Sequence, residues 1–217
     1  MIINHERPEY LKAAARIGKN KYNGAYYYSK EICDSIIPNI RTDRNWITVN
    51  LRADKIGCDH AIFFVHNHPH CPEWYEWLTE YKDLIMVCSS HKDMSKIEHI
   101  GKPVFLPLSV DIEYVKKFRT EKTKDVAFAG RPEKAYGCKL PRDIDHISLL
   151  PREEFLSELA KYKRVYAVDR VAIEARILGC EVIPYDYESV DTGEIIDTSE
   201  AVRMLQEELD RIDGARK

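Results

Sequence analysis

The sequence predicts an α/β protein with parallel sheets, arranged as two compact halves. Three observations carry this. Apolar stretches of strand length alternate with amphipathic stretches of helix length along most of the 217 residues. Several strand stretches, such as AIFFV (61–65) and LIMVC (84–88), are apolar throughout, the pattern of a strand covered on both faces. The alternation breaks at the polar stretch RTEKTK (119–124) and then restarts, which sets the expected domains at 1–118 and 119–217.

In the first half, EYLKAAARI (9–17) reads as a short helix with Pro8 in its first turn. Asn23-Gly24 is a turn signal. AYYYSKEICDSII (25–37) has apolar residues near helical spacing and stops at Pro38. WITVNL (46–51) is strand-like, and AIFFV is a second strand that runs into HNHPHCP. PEWYEWLTEY (72–81) reads as a helix with Pro72 at its start, followed by strand LIMVC. Ser90 stands where a helix over HKDMSKIEHI (91–100) needs its cap, and Gly101 ends that helix. VFLPL (104–108) is the fourth strand and DIEYVKKF (111–118) a short helix.

The second half repeats the logic. Strand DVAFAG (125–130) leads into the loop RPEKAYGCKLPRD, then strand HISLL (146–150) and a helix opened by Pro151. Strand RVYAV (164–168), helix RVAIEARIL (170–178) stopped by Gly179, and strand EVIPY (181–185) follow. A polar stretch precedes a final amphipathic helix, SEAVRMLQEELDRI (199–212), expected to cross back and brace the first domain.

Composition narrows the function classes. The 44% hydrophobic content supports a packed core, and a net charge of −3 with interleaved acids leaves no electrostatic footprint for nucleic acid. No apolar run approaches the ~20 residues that span a bilayer, and the N-terminus lacks the apolar core of a signal peptide. A cytoplasmic protein is expected. The six cysteines are scattered with no CxxC pair, so free thiols are expected rather than a disulfide framework.

In an open parallel sheet, ligands bind beyond the carboxyl ends of the strands, where helix N-termini favour phosphate. The positions concerned are Gly130-Arg131, Leu150-Pro151 and Asp169 to Ala172. Arg131 offers a forked guanidinium to a diphosphate, and Lys134 a point charge.

These positions also carry a resemblance. AFAGR (127–131), LLPREEFLSELAKYKRVYAV (149–168) and IEARILGCEVI (173–183) resemble the nucleotide-sugar-binding half of retaining, family-4-like glycosyltransferases of the GT-B type. VFLPLSVD (104–111) resembles the segment that ends their first domain. The resemblance implies a compact GT-B-like α/β protein of two Rossmann-like domains with parallel sheets. It implies transfer of a sugar from a nucleotide-diphosphate sugar to an acceptor, with no metal or cofactor required. Glu174 matches the second Glu of the family's EX7E motif, which contacts the donor ribose; a carboxylate can accept two hydrogen bonds from a vicinal diol. Arg131 and Lys134 match the pair that holds the diphosphate, with Gly130, Leu150, Asp169, Arg170 and Val171 in the donor-side loops. His66, after the second strand, matches a histidine facing the cleft, and Asn23-Gly24 the turn bordering the acceptor. His66, Arg131 and Glu174 are thus the expected catalytic residues. The chain departs from the family at Tyr166, where the first Glu of EX7E falls, and lacks its usual glycine pair.

Two other readings stand beside this one. Tyr166 in place of an acid fits a non-catalytic relative that binds a nucleotide or a partner. His66 and His68 in HNHP resemble the zinc-binding core of JAMM-type hydrolases, although Trp77 and Glu80 hold the places of that family's Ser and Asp.

Overall fold

The computed structural model describes residues 2–4, 30–42, 46–49, 59–65, 72–130, 140–185 and 195–214. The chain is a mixed α/β protein with parallel sheets. It divides into two units: one holds the described residues up to Pro107 together with those from Thr198 on, and the other runs from Leu108 to Asp197.

The first unit is built on five parallel strands, β1 (Ile2–Asn4), β2 (Trp46–Val49), β3 (His60–Phe64), β4 (Asp83–Cys88) and β5 (Lys102–Phe105), lying side by side in chain order. Ala61, Phe63 and Val65 share one face with Leu84, Met86 and Cys88, and pack against Leu78, Tyr81, Ile97 and Ile100. The alternate residues Ile62, Phe64, Ile85 and Val87 are just as buried. Both faces are therefore covered, which is why β3 and β4 read as unbroken apolar runs. Each such side chain contributes about 1.5–3 kcal/mol on burial. Helix α1 (His91–Ile97) connects β4 to β5. Ser90 takes its N-cap position in extended geometry, but its side chain makes no capping bond; its carbonyl accepts from the amides of Asp93 and Met94 instead.

Two expected helices take other forms. Pro72–Glu80 is a 3₁₀ helix. The stretch before Pro38 widens into a π-helix, Ile32–Ile36, and then tightens into a 3₁₀ turn, Ile37–Asn39. The amide of Ile37 bonds to the carbonyl of Ile32, and both side chains are buried. That bond, from an amide to the carbonyl five residues back, is the one that defines a π-helix.

The second unit opens with β6 (Ser109–Val110) and α2 (Ile112–Lys116), whose N-cap Asp111 accepts from the Tyr114 amide at 2.8 Å. There follow β7 (Lys124–Ala129), β8 (Asp145–Ile147), α3 (Arg152–Leu159), β9 (Tyr162–Tyr166), α4 (Asp169–Ile177), β10 (Glu181–Ile183) and β11 (Ile196–Asp197). Strands β10, β9, β7 and β8 form a parallel sheet in that spatial order, and β6 pairs with β11.

The final helix α5 (Thr198–Gly214) belongs to the first unit. Ala201, Leu205 and Leu209, four residues apart, are fully buried, and Glu208 pairs with Lys102.

The two units meet along the chain at Pro107/Leu108, so residues 108–118 group with the second unit. The polar stretch 119–124 is bonded into the second unit. Arg119 Nε donates to the Ile177 carbonyl at 2.6 Å, and Lys122 Nζ to the carbonyls of Ala160 and Leu178 at 2.8 and 2.9 Å. These cations satisfy carbonyls at helix C-termini, where no intrahelical donor exists and positive charge is favoured.

Candidate functional site at the carboxyl edge of the second sheet

Strand order gives a candidate site. From β7 the chain passes outward to β8, then crosses back over β7 to β9 and continues to β10. The connections leaving β7 and β9 therefore diverge, and a doubly wound sheet takes its ligand at that crevice. The first sheet, whose described strands lie in simple chain order, has no such reversal among them.

Gly130 is the first residue past β7, and its amide donates to the Ile147 carbonyl at 3.2 Å. Its φ is not positive, unlike that of Gly179 at 82°. Space favours glycine here: a Cβ would stand 3.1 Å from the Tyr185 hydroxyl and 3.2 Å from the Phe128 ring, closer than most side-chain contacts.

Past β8 and past β9 the backbone enters the left-handed region at non-glycine residues, Leu149 (φ 56°) and Asp169 (φ 52°). Each such residue costs about 1–3 kcal/mol, and such strain clusters at binding and active sites. Leu149 is also exposed. Both turns lead directly into helices: Pro151 is the N-cap of α3, and Val168, which provides no side-chain cap, that of α4.

The two helices meet through charge. Arg152, first residue of α3, forks onto Glu174: Nη1 donates to Oε2 at 2.8 Å and Nη2 to Oε1 at 2.7 Å. Arg170 Nε donates to the same Oε1 at 2.9 Å, and its Nη1 to the Ser109 carbonyl at 3.1 Å. Glu174 is 1% exposed, and Arg152 and Arg170 are 16% and 10%. Burial pushes the Glu174 carboxyl up, but the guanidiniums of Arg152 and Arg170 outweigh it and hold the group below the usual carboxylate range.

Both arginines sit in the first turns of helices, where the dipole disfavours cations. Glu174 offsets that cost, and it is the reason two guanidiniums are tolerated in so little solvent.

Gly130, Leu150, and Asp169 with Arg170 and Val171 follow the carboxyl ends of β7, β8 and β9 respectively. Glu174 lies in α4, bonded to arginines. A ribose contact there would need access to a carboxylate that is only 1% exposed. Arg131, Lys134, His66, Asn23 and Gly24 lie outside the described residues, as does the HNHPHC segment. Among the described residues no three His, Cys, Asp or Glu side chains gather as a metal site requires, and no helix is long and apolar enough to cross a membrane. Tyr166 ends β9, in register with Phe128 and Ile183.

Arg152 was not singled out by sequence. The available signal was indirect: a Glu in a buried helix demands a cation, and Arg152 opens the preceding helix on the same edge. No protein-family model matches the chain, and comparison with curated proteins finds no relative.

Proposed function

We propose that the chain binds a nucleotide-diphosphate sugar at the carboxyl edge of the second sheet and transfers its sugar to an acceptor hydroxyl, as a compact cytoplasmic enzyme of the GT-B kind. The observation that supports this best is the reversal of strand order between β7 and β9, with strained turns leading into α3 and α4 beside it. Backbone amides at Asp169, Arg170 and Val171, at the start of α4, suit phosphate oxygens. Arg131 and Lys134, which follow Gly130 in sequence, supply charge to the leaving diphosphate. Glu174 acts through Arg152 and Arg170, holding both in place beside the ligand. His66 and the Asn23-Gly24 turn serve the acceptor side.

A second reading is favoured by a specific pair of facts. Tyr166 stands where a sugar-handling acid is expected, and the Glu174 carboxylate is already engaged by two guanidiniums. A protein that binds the nucleotide without turnover accounts for both.

Calorimetry with UDP-, GDP- and ADP-sugars, paired with detection of released nucleoside diphosphate, separates these. Binding with turnover that is weakened at least about tenfold by Arg131→Ala supports the transferase. Binding without turnover supports the second reading, and absence of binding rejects both.

A further inference from the structure

We infer that Tyr185 is a ligand-contacting residue of the switch-point crevice, its hydroxyl donating to a phosphoryl oxygen of a bound diphosphate. The inference rests on the nucleotide-diphosphate reading and adds a residue which that reading did not include.

Tyr185 follows β10, two strands away from β7 in the sheet, yet its hydroxyl reaches the end of β7. Its ring lies 5.0 Å from that of Phe128, at 49°, and Phe128 is wholly buried. The hydroxyl is the Tyr185 atom that comes nearest to Gly130 at the strand end. Gly130 is the residue it meets, and the backbone there does not need glycine for its conformation. The lack of a side chain at Gly130 serves the approach of the Tyr185 hydroxyl, because a Cβ would sit 3.1 Å from it. The chain thus holds a half-buried phenol donor at the place where the sheet's topology directs a ligand. A phenol O–H donating to an ionised phosphate makes a short, charge-assisted bond, stronger than one between neutral groups.

The test measures UDP, GDP, ADP and inorganic pyrophosphate binding by calorimetry to the full chain and to three variants. Tyr185→Phe keeps the ring and removes the donor, and should weaken the tightest of these ligands by about tenfold. Gly130→Ala, which displaces the hydroxyl, should weaken it similarly. Tyr185→Ala should weaken it at least as much, and an unchanged circular-dichroism spectrum and melting transition for Tyr185→Phe would separate this from loss of fold. If the parent binds but Tyr185→Phe binds within about twofold of it, the phenol does not touch the ligand and the inference fails while the nucleotide reading stands. Tighter binding by Tyr185→Ala would mean that the ring occludes the crevice, which also overturns the inference. If the parent binds none of the four, the nucleotide reading itself fails, and this inference with it.

Discussion

Arg152 and Glu174 form a forked ion pair between the first turn of α3 and the middle of α4, with both guanidinium terminal nitrogens on both carboxylate oxygens at 2.8 and 2.7 Å. The bond ties together the helices that follow β8 and β9, and Arg170 adds a second guanidinium to the same carboxylate. Breaking a buried pair by removing one partner leaves an uncompensated charge. Glu174→Ala should therefore lower the unfolding free energy by about 3–5 kcal/mol in a urea titration. Arg152→Ala should cost less, because Arg170 still neutralises the carboxylate. In the double variant the effects should fall well short of their sum, since both act on one network. Additive losses would show that the pair is not coupled.

Acid should act through the same carboxylate. Glu174 titrates below its unfolded value, so its stabilisation is fully present above the unfolded pKa of about 4.3 and is lost as pH falls through the lower folded value. Glu158 behaves alike: hydrogen bonds from Lys124 and then Lys161 hold it down to about 2. Urea midpoints followed from pH 7 to pH 2.5 should stay level with respect to these groups above about pH 5 and decline below it. Glu174→Gln should flatten part of that acid decline. An identical decline in parent and variant would remove Glu174 from the account.

Lys122 is a structural cation. Its ammonium donates to the Ala160 and Leu178 carbonyls, at the ends of α3 and α4, and to Cys180 Sγ at 3.2 Å. Lys122→Met keeps the stem and removes the donors, and should destabilise by about 1.5–3 kcal/mol, the range for hydrogen bonds to charged groups. Ligand binding at the opposite edge should be unchanged in the folded variant. A loss under about 0.5 kcal/mol would show that these bonds do not hold the segment in place.

The strands were legible because their signal is local. AIFFV and LIMVC have the length and unbroken apolar character of strands covered on both faces, and the four-residue spacing of Ala201, Leu205 and Leu209 marks α5 without tertiary information. What escaped depends on partners distant in sequence. Arg119 and Lys122 look like solvated charges until the helix ends they satisfy are in place. Arg152 lies 22 residues from Glu174, and only the crossover through β9 brings them together. The π-helix at Ile32–Ile36 was not legible, because burying Ile32, Ile36 and Ile37 together suits an α-helix equally well. Gly130 was readable as a strand end but not as a contact, because Tyr185 reaches it from beyond β10.

The described thiols should be inert in the folded chain. Burial, and then the nearby Asp93 carboxylate, push Cys88 up to about 12, and burial raises Cys180 despite the opposing pull of Lys122. At pH 8 roughly one Cys88 in ten thousand is thiolate, the reactive form. Iodoacetamide with peptide mapping should leave both unmodified in native protein and label both in denaturant. Rapid native labelling of Cys88 would contradict its burial in the first unit's core.

The central claim is that a nucleoside diphosphate binds at the carboxyl edge of the second sheet, and amide chemical shifts test it most directly. With UDP, GDP and ADP titrated into isotope-labelled protein, the amides of Gly130 and of Asp169 to Ala172 should shift most for at least one nucleotide, with smaller changes at Lys122 and Tyr162 on the opposite edge. Shifts confined to other regions, or none with any of the three, would contradict the account.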